Sequence, residues 1–477
     1  MTDRARAWIV WACLGLGTAA LGQGGPAPEA AGLEAAVIAG DGRGAAAMLE
    51  GLWASDRELA REASWRLISS ETVAHRPLGL EAMRAHATAD ELAAVAAALD
   101  GQRYPEERRW LVRAIGRSTD ENAQELAAGF VTDRDPYVRA SAVSALADLG
   151  DVASVASYAR RLKSVPLGVQ SWSSDDDGAE QMAMYGAVLS LTGLRPRTSR
   201  DVLDWVREQG DAIAQASPAE APDPATAWSQ EGEYLLTPSL RVEFDMRDTA
   251  GPEGGPSDQS EFVVGLERSV GAAKLAAEPI FGRVHMPVVR LVFADDQTIG
   301  KFGGTSRGYY GFARGNKIAM RLTDWGTVRT VLTHEYIHLI HSAQGEDQPR
   351  WLSEGLAESL TRSARATAWA APLAPGRDEL FGLLAREGLS GVARWESSGS
   401  SGEDPNLYAK AHAAVDYLRF GGFGAEDARL AMLVGRIGRG ERPERALEQV
   451  YGRPMGDLDR GLAAWLGGLR DGGARGE

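Results

Sequence analysis

From about Leu33 to Gln209, apolar residues recur three and four positions apart, which predicts a run of amphipathic helices. The clearest copy opens at Asp135-Pro136-Tyr137-Val138-Arg139. Aspartate caps free backbone amides and proline suits a first helical turn, so a helix is expected to start there. Val138, Ala142, Ala145 and Leu146 then share one face. Similar spacing recurs at Leu59, Ala63 and Leu67, at Leu111, Ala114 and Ile115, and more weakly at Val188, Leu189 and Gly193.

Beyond this region the pattern changes. Residues 211–229 are rich in Ala, Pro, Ser and Asp, a linker composition, and Asp248 to Ser260 reads as a loop. Arg241-Val242-Glu243-Phe244 alternates as a strand does, and Val288 to Phe293 suits a buried strand. Phe262 to Ala277 has helical spacing between them. Strand-like pieces flank a turn at Gly315-Asn316, and helices follow from about Thr327 to the end. Strands first and helices after predict an α+β domain.

The periodic first half resembles HEAT-type repeats, in which helix pairs stack into an α-solenoid. The expected organisation is a signal peptide at 1–22, a flexible lead-in at 23–32 and a HEAT-like repeat domain at 33–210. A linker at 211–235 and an α+β domain at 236–470 complete it. The signal peptide is read from Arg4 and Arg6, the apolar run Ala7 to Ala20, and small residues around Gly22. Its apolar run is too short to span a bilayer comfortably, so an exported protein with no stable transmembrane segment is expected.

Composition narrows the function classes. The 477 residues are 44% hydrophobic and 25% charged, with a formal net charge of -15. That charge argues against nucleic-acid binding, which needs basic faces. The single cysteine, Cys13, lies inside the signal-like segment. A processed chain would therefore have neither disulfides nor a cysteine nucleophile.

The chemistry is concentrated in Thr333-His334-Glu335-Tyr336-Ile337-His338-Leu339. On a helix, His334 and His338 project from one face, one turn apart, and can hold one Zn²⁺. Glu335 sits beside them as a general base for water attacking a peptide carbonyl. Asp324 can cap this helix, and Val328, Val331, Leu332, Ile337 and Leu339 supply apolar contacts. A catalytic zinc needs a third protein ligand and an open position. Glu354, in Trp351-Leu352-Ser353-Glu354-Gly355-Leu356-Ala357-Glu358, follows at a distance that allows a loop and a second helix. Glu358 lies one turn further, placed to hold a ligand histidine.

A His-Glu-x-x-His helix followed by Trp-Leu-x-Glu-Gly-x-Ala-Glu resembles the gluzincin metallopeptidases, above all the peptidase-MA-like domains of bacterial exported proteins. The resemblance implies that His334, His338 and Glu354 are zinc ligands, Glu335 the base and Glu358 a supporting residue. It also implies that Tyr408, in Asn406-Leu407-Tyr408-Ala409-Lys410-Ala411, donates its hydroxyl to the oxyanion. Aminopeptidases of the clan carry a Gly-x-Met-Glu-Asn segment whose Glu binds the substrate amine. No counterpart exists here, and Gly308 to Ile318 stands in its place. An edge strand in that segment could pair with an extended peptide, which favours endopeptidase over aminopeptidase action.

The remaining histidines have ordinary readings. His341 is expected to pack or to support the site, His75, His86 and His285 to be structural, and His412 to have no assigned role. The expected protein is thus an exported zinc metallopeptidase acting on peptides or proteins, with repeats that bind a protein partner. The alternative is a binding scaffold acting through its repeats, its centre silent or its zinc structural.

Overall fold

The computed structural model describes residues 28–101, 103–160, 176–194, 199–208, 229–231, 234–245, 258–294, 311–314, 316–343, 348–364, 377–393 and 407–473. The signal peptide, most of the lead-in and linker, Gly308 to Tyr310 and Asn406 lie outside these residues. Two compact units form: Met1–Val138 with Gln348–Leu352 and Pro375–Glu477, and Arg139–Asp347 with Ser353–Ala374. The units therefore do not follow chain order. No described helix is long and apolar enough to cross a membrane.

The first unit begins with seven helices: α1 (Pro28–Ile38), α2 (Gly42–Ser55), α3 (Arg57–Ile68), α4 (Arg76–His86), α5 (Ala89–Ala98), α6 (Pro105–Ile115) and α7 (Ala123–Ala128). Their starts are written in short side chains. Asp41 and Asp56 cap α2 and α3, and Thr88 with Glu91 forms a capping box on α5. Consecutive helices pack together except α4 with α5, while α2, α4 and α6 stack as one layer. That alternation is the solenoid arrangement the repeat pattern implied.

The buried stripes follow the sequence pattern with one shift. Leu111, Ala114 and Ile115 are buried as expected, but on α3 the stripe is Ala60, Ser64, Leu67 and Ile68. Leu59 and Ala63 stand beside it, half-buried. Ser64 escapes a hydrophobicity reading because its hydroxyl donates to the Ala60 carbonyl at 2.8 Å and accepts from Trp53 Nε1 at 3.3 Å. Gly79 of α4 crosses just above it, where a Cβ would stand 2.4 Å from the Ser64 carbonyl oxygen.

Ion pairs tie neighbouring helices of this layer. Arg76 of α4 donates to Glu107 of α6 at 2.9 Å, with 5% and 2% of their side chains exposed. Arg76 also reaches the Ser70 carbonyl and lies over the Tyr104 ring. Burial pushes the Glu107 carboxyl upward, and Arg76 opposes the shift.

Helix α8 (Pro136–Asp148) starts at the Asp135 cap, whose side chain accepts from Val138 N at 2.9 Å. It leads to α9 (Val152–Ala159), α10 (Asp176–Thr192) and α11 (Ser199–Glu208). Val138, Ala142, Ala145 and Leu146 are all buried.

The second unit holds a small mixed sheet of β1 (Ser229–Glu231), β2 (Tyr234–Leu236), β3 (Leu240–Asp245), β4 (Val289–Ala294), β5 (Gly311–Arg314) and β6 (Lys317–Met320). Strand order is β1-β2-β3-β4-β6-β5. Strands β3, β4 and β6 run parallel, and the outer pairings are antiparallel. Helix α12 (Gln259–Phe281) connects β3 to β4 and packs on α13 (Trp325–Ser342). Phe262 of α12 meets Phe293 at 5.9 Å and Trp325 at 5.1 Å, joining both helices to the sheet. Helix α14 (Arg350–Ala364) follows, carrying Glu354.

The last helices are α15 (Arg377–Ala393), α16 (Leu407–Phe420), α17 (Glu426–Gly438), α18 (Pro443–Tyr451) and α19 (Met455–Gly473). They belong with the repeats: α17 packs on α4 and α6. Arg439, just past α17, pairs with Glu106 and with Asp135.

Removing one partner of a buried ion pair leaves the other charge stranded, at a cost of about 3–5 kcal/mol. Arg76→Met is therefore expected to lower unfolding stability by that order, measured by urea titration. The double variant Arg76→Met/Glu107→Leu is expected to recover most of the loss.

Candidate metal centre

Helix α13 forms where the sequence pattern placed it. Asp324 accepts from Thr327 N at 2.9 Å and caps its first turn. Val328, Leu332, Tyr336, Ile337, Leu339 and Ile340 are buried along its length. One side of the helix faces α12 and another faces β5 and β6. Thr333 adds a hydrogen bond back to the Arg329 carbonyl at 2.8 Å. His334 and His338 are left on the remaining side, where α14 brings Glu354.

The three donor atoms converge. His334 Nε2 lies 3.1 Å from His338 Nε2, which lies 3.2 Å from Glu354 Oε2. The third side, His334 Nε2 to Glu354 Oε2, measures 3.4 Å. Among the described residues this is the group that could hold a metal ion. Donors set tetrahedrally at about 2.0–2.1 Å around one zinc stand about 3.3–3.4 Å apart, so the triangle fits the ion. Two imidazoles and one carboxylate, with no thiolate, are also the donor chemistry of catalytic rather than structural zinc.

Each imidazole has a partner on its far nitrogen. His334 Nδ1 lies 3.4 Å from Glu358 Oε1, and His338 Nδ1 lies 3.1 Å from Ser353 Oγ. Ser353 was not singled out in the sequence; it has no signal there beyond standing directly before Glu354.

Glu335 lies beside this cluster, close enough for both histidines to act on its charge. Its side chain is buried and accepts the backbone N–H of Ala313 on β5. Gly311 of the same strand lies so close that a Cβ would stand 2.5 Å from Val331 and 3.2 Å from Glu335 Oε1. Only a residue without a side chain lets this strand lie against the helix at that point.

Charge divides the carboxylates. Burial alone would raise the pKa of Glu354, but hydrogen bonds from His334 and His338 hold it well below the usual range. Burial raises Glu335, against the opposing pull of both histidines. Burial disfavours a proton on His334, yet Glu354, Glu358 and Glu335 outweigh it and push the pKa up to about 9. The same donors can share a proton or a divalent cation, not both.

Tyr408 lies in the other compact unit, on α16. Its hydroxyl accepts from Arg350 Nη2 at 2.9 Å. The other histidines are engaged elsewhere, His75 with the Ser70 hydroxyl at 3.2 Å. His341 packs against Phe281, His86 pairs with Glu50 at 2.7 Å, His285 with Asp148 at 2.8 Å, and His412 with Asp416 at 3.1 Å.

A family model for HEAT repeats matches residues 80–172, so the chain carries HEAT repeats over that span. No curated protein and no solved structure matches the chain.

His341 supplies a pH test of the packing behind the centre. Burial drops its pKa from the ordinary 6.5 to about 3. The unfolded chain therefore binds a proton here that the folded chain does not, and stability falls as pH drops from about 6.5 toward 3. His341→Leu removes that term, so its acid-unfolding midpoint is expected at lower pH than the wild type's, followed by circular dichroism.

Proposed function

We propose that this protein is an exported zinc-dependent peptidase of gluzincin type whose HEAT repeats bind a protein partner. The observation that carries the reading is the triangle of His334 Nε2, His338 Nε2 and Glu354 Oε2, with sides of 3.1, 3.2 and 3.4 Å. Zinc held by these three residues would supply a Lewis acid that makes water nucleophilic near neutral pH. The chain's own residues do the rest.

Glu335 is the proton carrier. It takes a proton as water attacks the peptide carbonyl and gives it to the departing amine. Burial raises its proton affinity, against the pull of His334 and His338. Glu358 holds His334 from behind. Tyr408 would stabilise the oxyanion, a role that rests on the gluzincin resemblance. Its oxygen accepts a hydrogen bond from Arg350.

Strand β5 supports a preference for internal peptide bonds. Among the described strands it ends the sheet, with β6 on one side only. An extended peptide adding to such an edge can run past the centre in both directions. A requirement for a free amine would need a group to bind it, and no such segment stands in the sequence.

The HEAT match favours a second reading, a scaffold that acts through its repeats, which often mediate protein contacts. One comparison separates the two. Full-length wild type and Glu335→Gln are assayed for bound metal and for cleavage of a broad peptide library. The peptidase reading expects about one zinc per chain in both proteins. It expects hydrolysis to fall by about 10²–10⁴-fold in the variant. Zinc in both proteins with cleavage in neither would favour the scaffold.

A further inference from the structure

Resting on the zinc reading above, we propose that Ser353 is a positioning residue that fixes the tautomer and tilt of His338, and so sets the affinity of the centre for zinc. A neutral imidazole can give Nε2 to a metal only if its proton sits on Nδ1. That proton needs an acceptor close to the ring plane, or the ring is free to turn and to exchange tautomers.

Ser353 Oγ stands 3.1 Å from His338 Nδ1. Glu354, the next residue in the chain, has Oε2 3.2 Å from the Nε2 of the same ring. Two consecutive residues near the start of α14 therefore hold both nitrogens of one imidazole. The placement of one helix backbone thus sets where both side chains start.

The two histidines are held unequally. His334 has a carboxylate behind it, Glu358, whose side chain is 39% exposed. His338 has an uncharged hydroxyl on a half-buried residue. A carboxylate accepts without choosing an orientation. A serine hydroxyl must turn its lone pair to the ring and its own proton away, so it orders the ring without adding charge.

The test uses full-length wild type, Ser353→Ala and Ser353→Thr, each stripped of metal and titrated with zinc against a chromophoric chelator. Loss of a partner behind a ligand histidine typically weakens metal binding by about 10–100-fold. Ser353→Ala is expected to weaken zinc binding by that factor, and Ser353→Thr, which keeps the hydroxyl, to stay within a few-fold of wild type. Nitrogen-15 spectra of the imidazoles give a second readout. The His338 Nδ1–H signal, protected from exchange in the wild type, is expected to be retained in Ser353→Thr and lost in Ser353→Ala.

Equal zinc affinity in wild type and Ser353→Ala would overturn the proposal and leave the metal site standing. Equal weakening in Ser353→Ala and Ser353→Thr would also overturn it, since the hydroxyl would then not be the determinant. A wild type that binds no zinc would overturn the metal reading itself.

Discussion

Two imidazoles and three carboxylates, those of Glu335, Glu354 and Glu358, crowd a partly buried corner between α13 and α14, and the second compact unit is organised around making that corner tolerable. Charges taken out of water must be paired or shift their proton equilibria. Here they do both. Glu354 lies between two ring nitrogens and is held low, while Glu335, which also meets β5, is raised by burial. The same residue type, nineteen positions apart in the chain, is thereby given two different protonation tendencies by environment alone. The arrangement needs a helix that starts at Asp324, aromatic packing of Phe262 on Phe293 and Trp325, and a glycine at 311 where the strand touches the helix.

The repeats answer a different problem. A helix pair cannot bury its own apolar face, so pairs stack, and α2, α4 and α6 form a layer crossed by the Arg76–Glu107 pair. Part of that layer is covered within the unit, because α17 packs on α4 and α6. A protein partner on the repeats would have to use the surface that α17 leaves.

What the sequence reveals depends on how local the cause is. The His334-Glu335-x-x-His338 pair, the Asp324 and Asp135 caps, and strands β3, β4, β5 and β6 all follow from spacing within one element, and all are legible. Ser64 is not, because its burial rests on a hydroxyl satisfied by Ala60 and Trp53. The grouping of α15–α19 with the repeats is not either, since it rests on pairings such as Arg439 with Asp135, three hundred residues distant. Ser353 is invisible for a related reason: its meaning comes from the ring it meets, not from its neighbours in the chain. Glu354 is legible as a candidate from its spacing after His338, and the family resemblance adds the motif around it.

X-ray absorption at the zinc edge on the full-length protein loaded with one equivalent of metal tests the central claim most directly. The account expects two imidazole nitrogens and a carboxylate oxygen among light-atom ligands at about 2.0–2.1 Å, with one ligand site left to solvent. It also expects one imidazole to disappear from the spectrum of His338→Ala. No stoichiometric zinc, or a wild-type spectrum unchanged by His338→Ala, would contradict it.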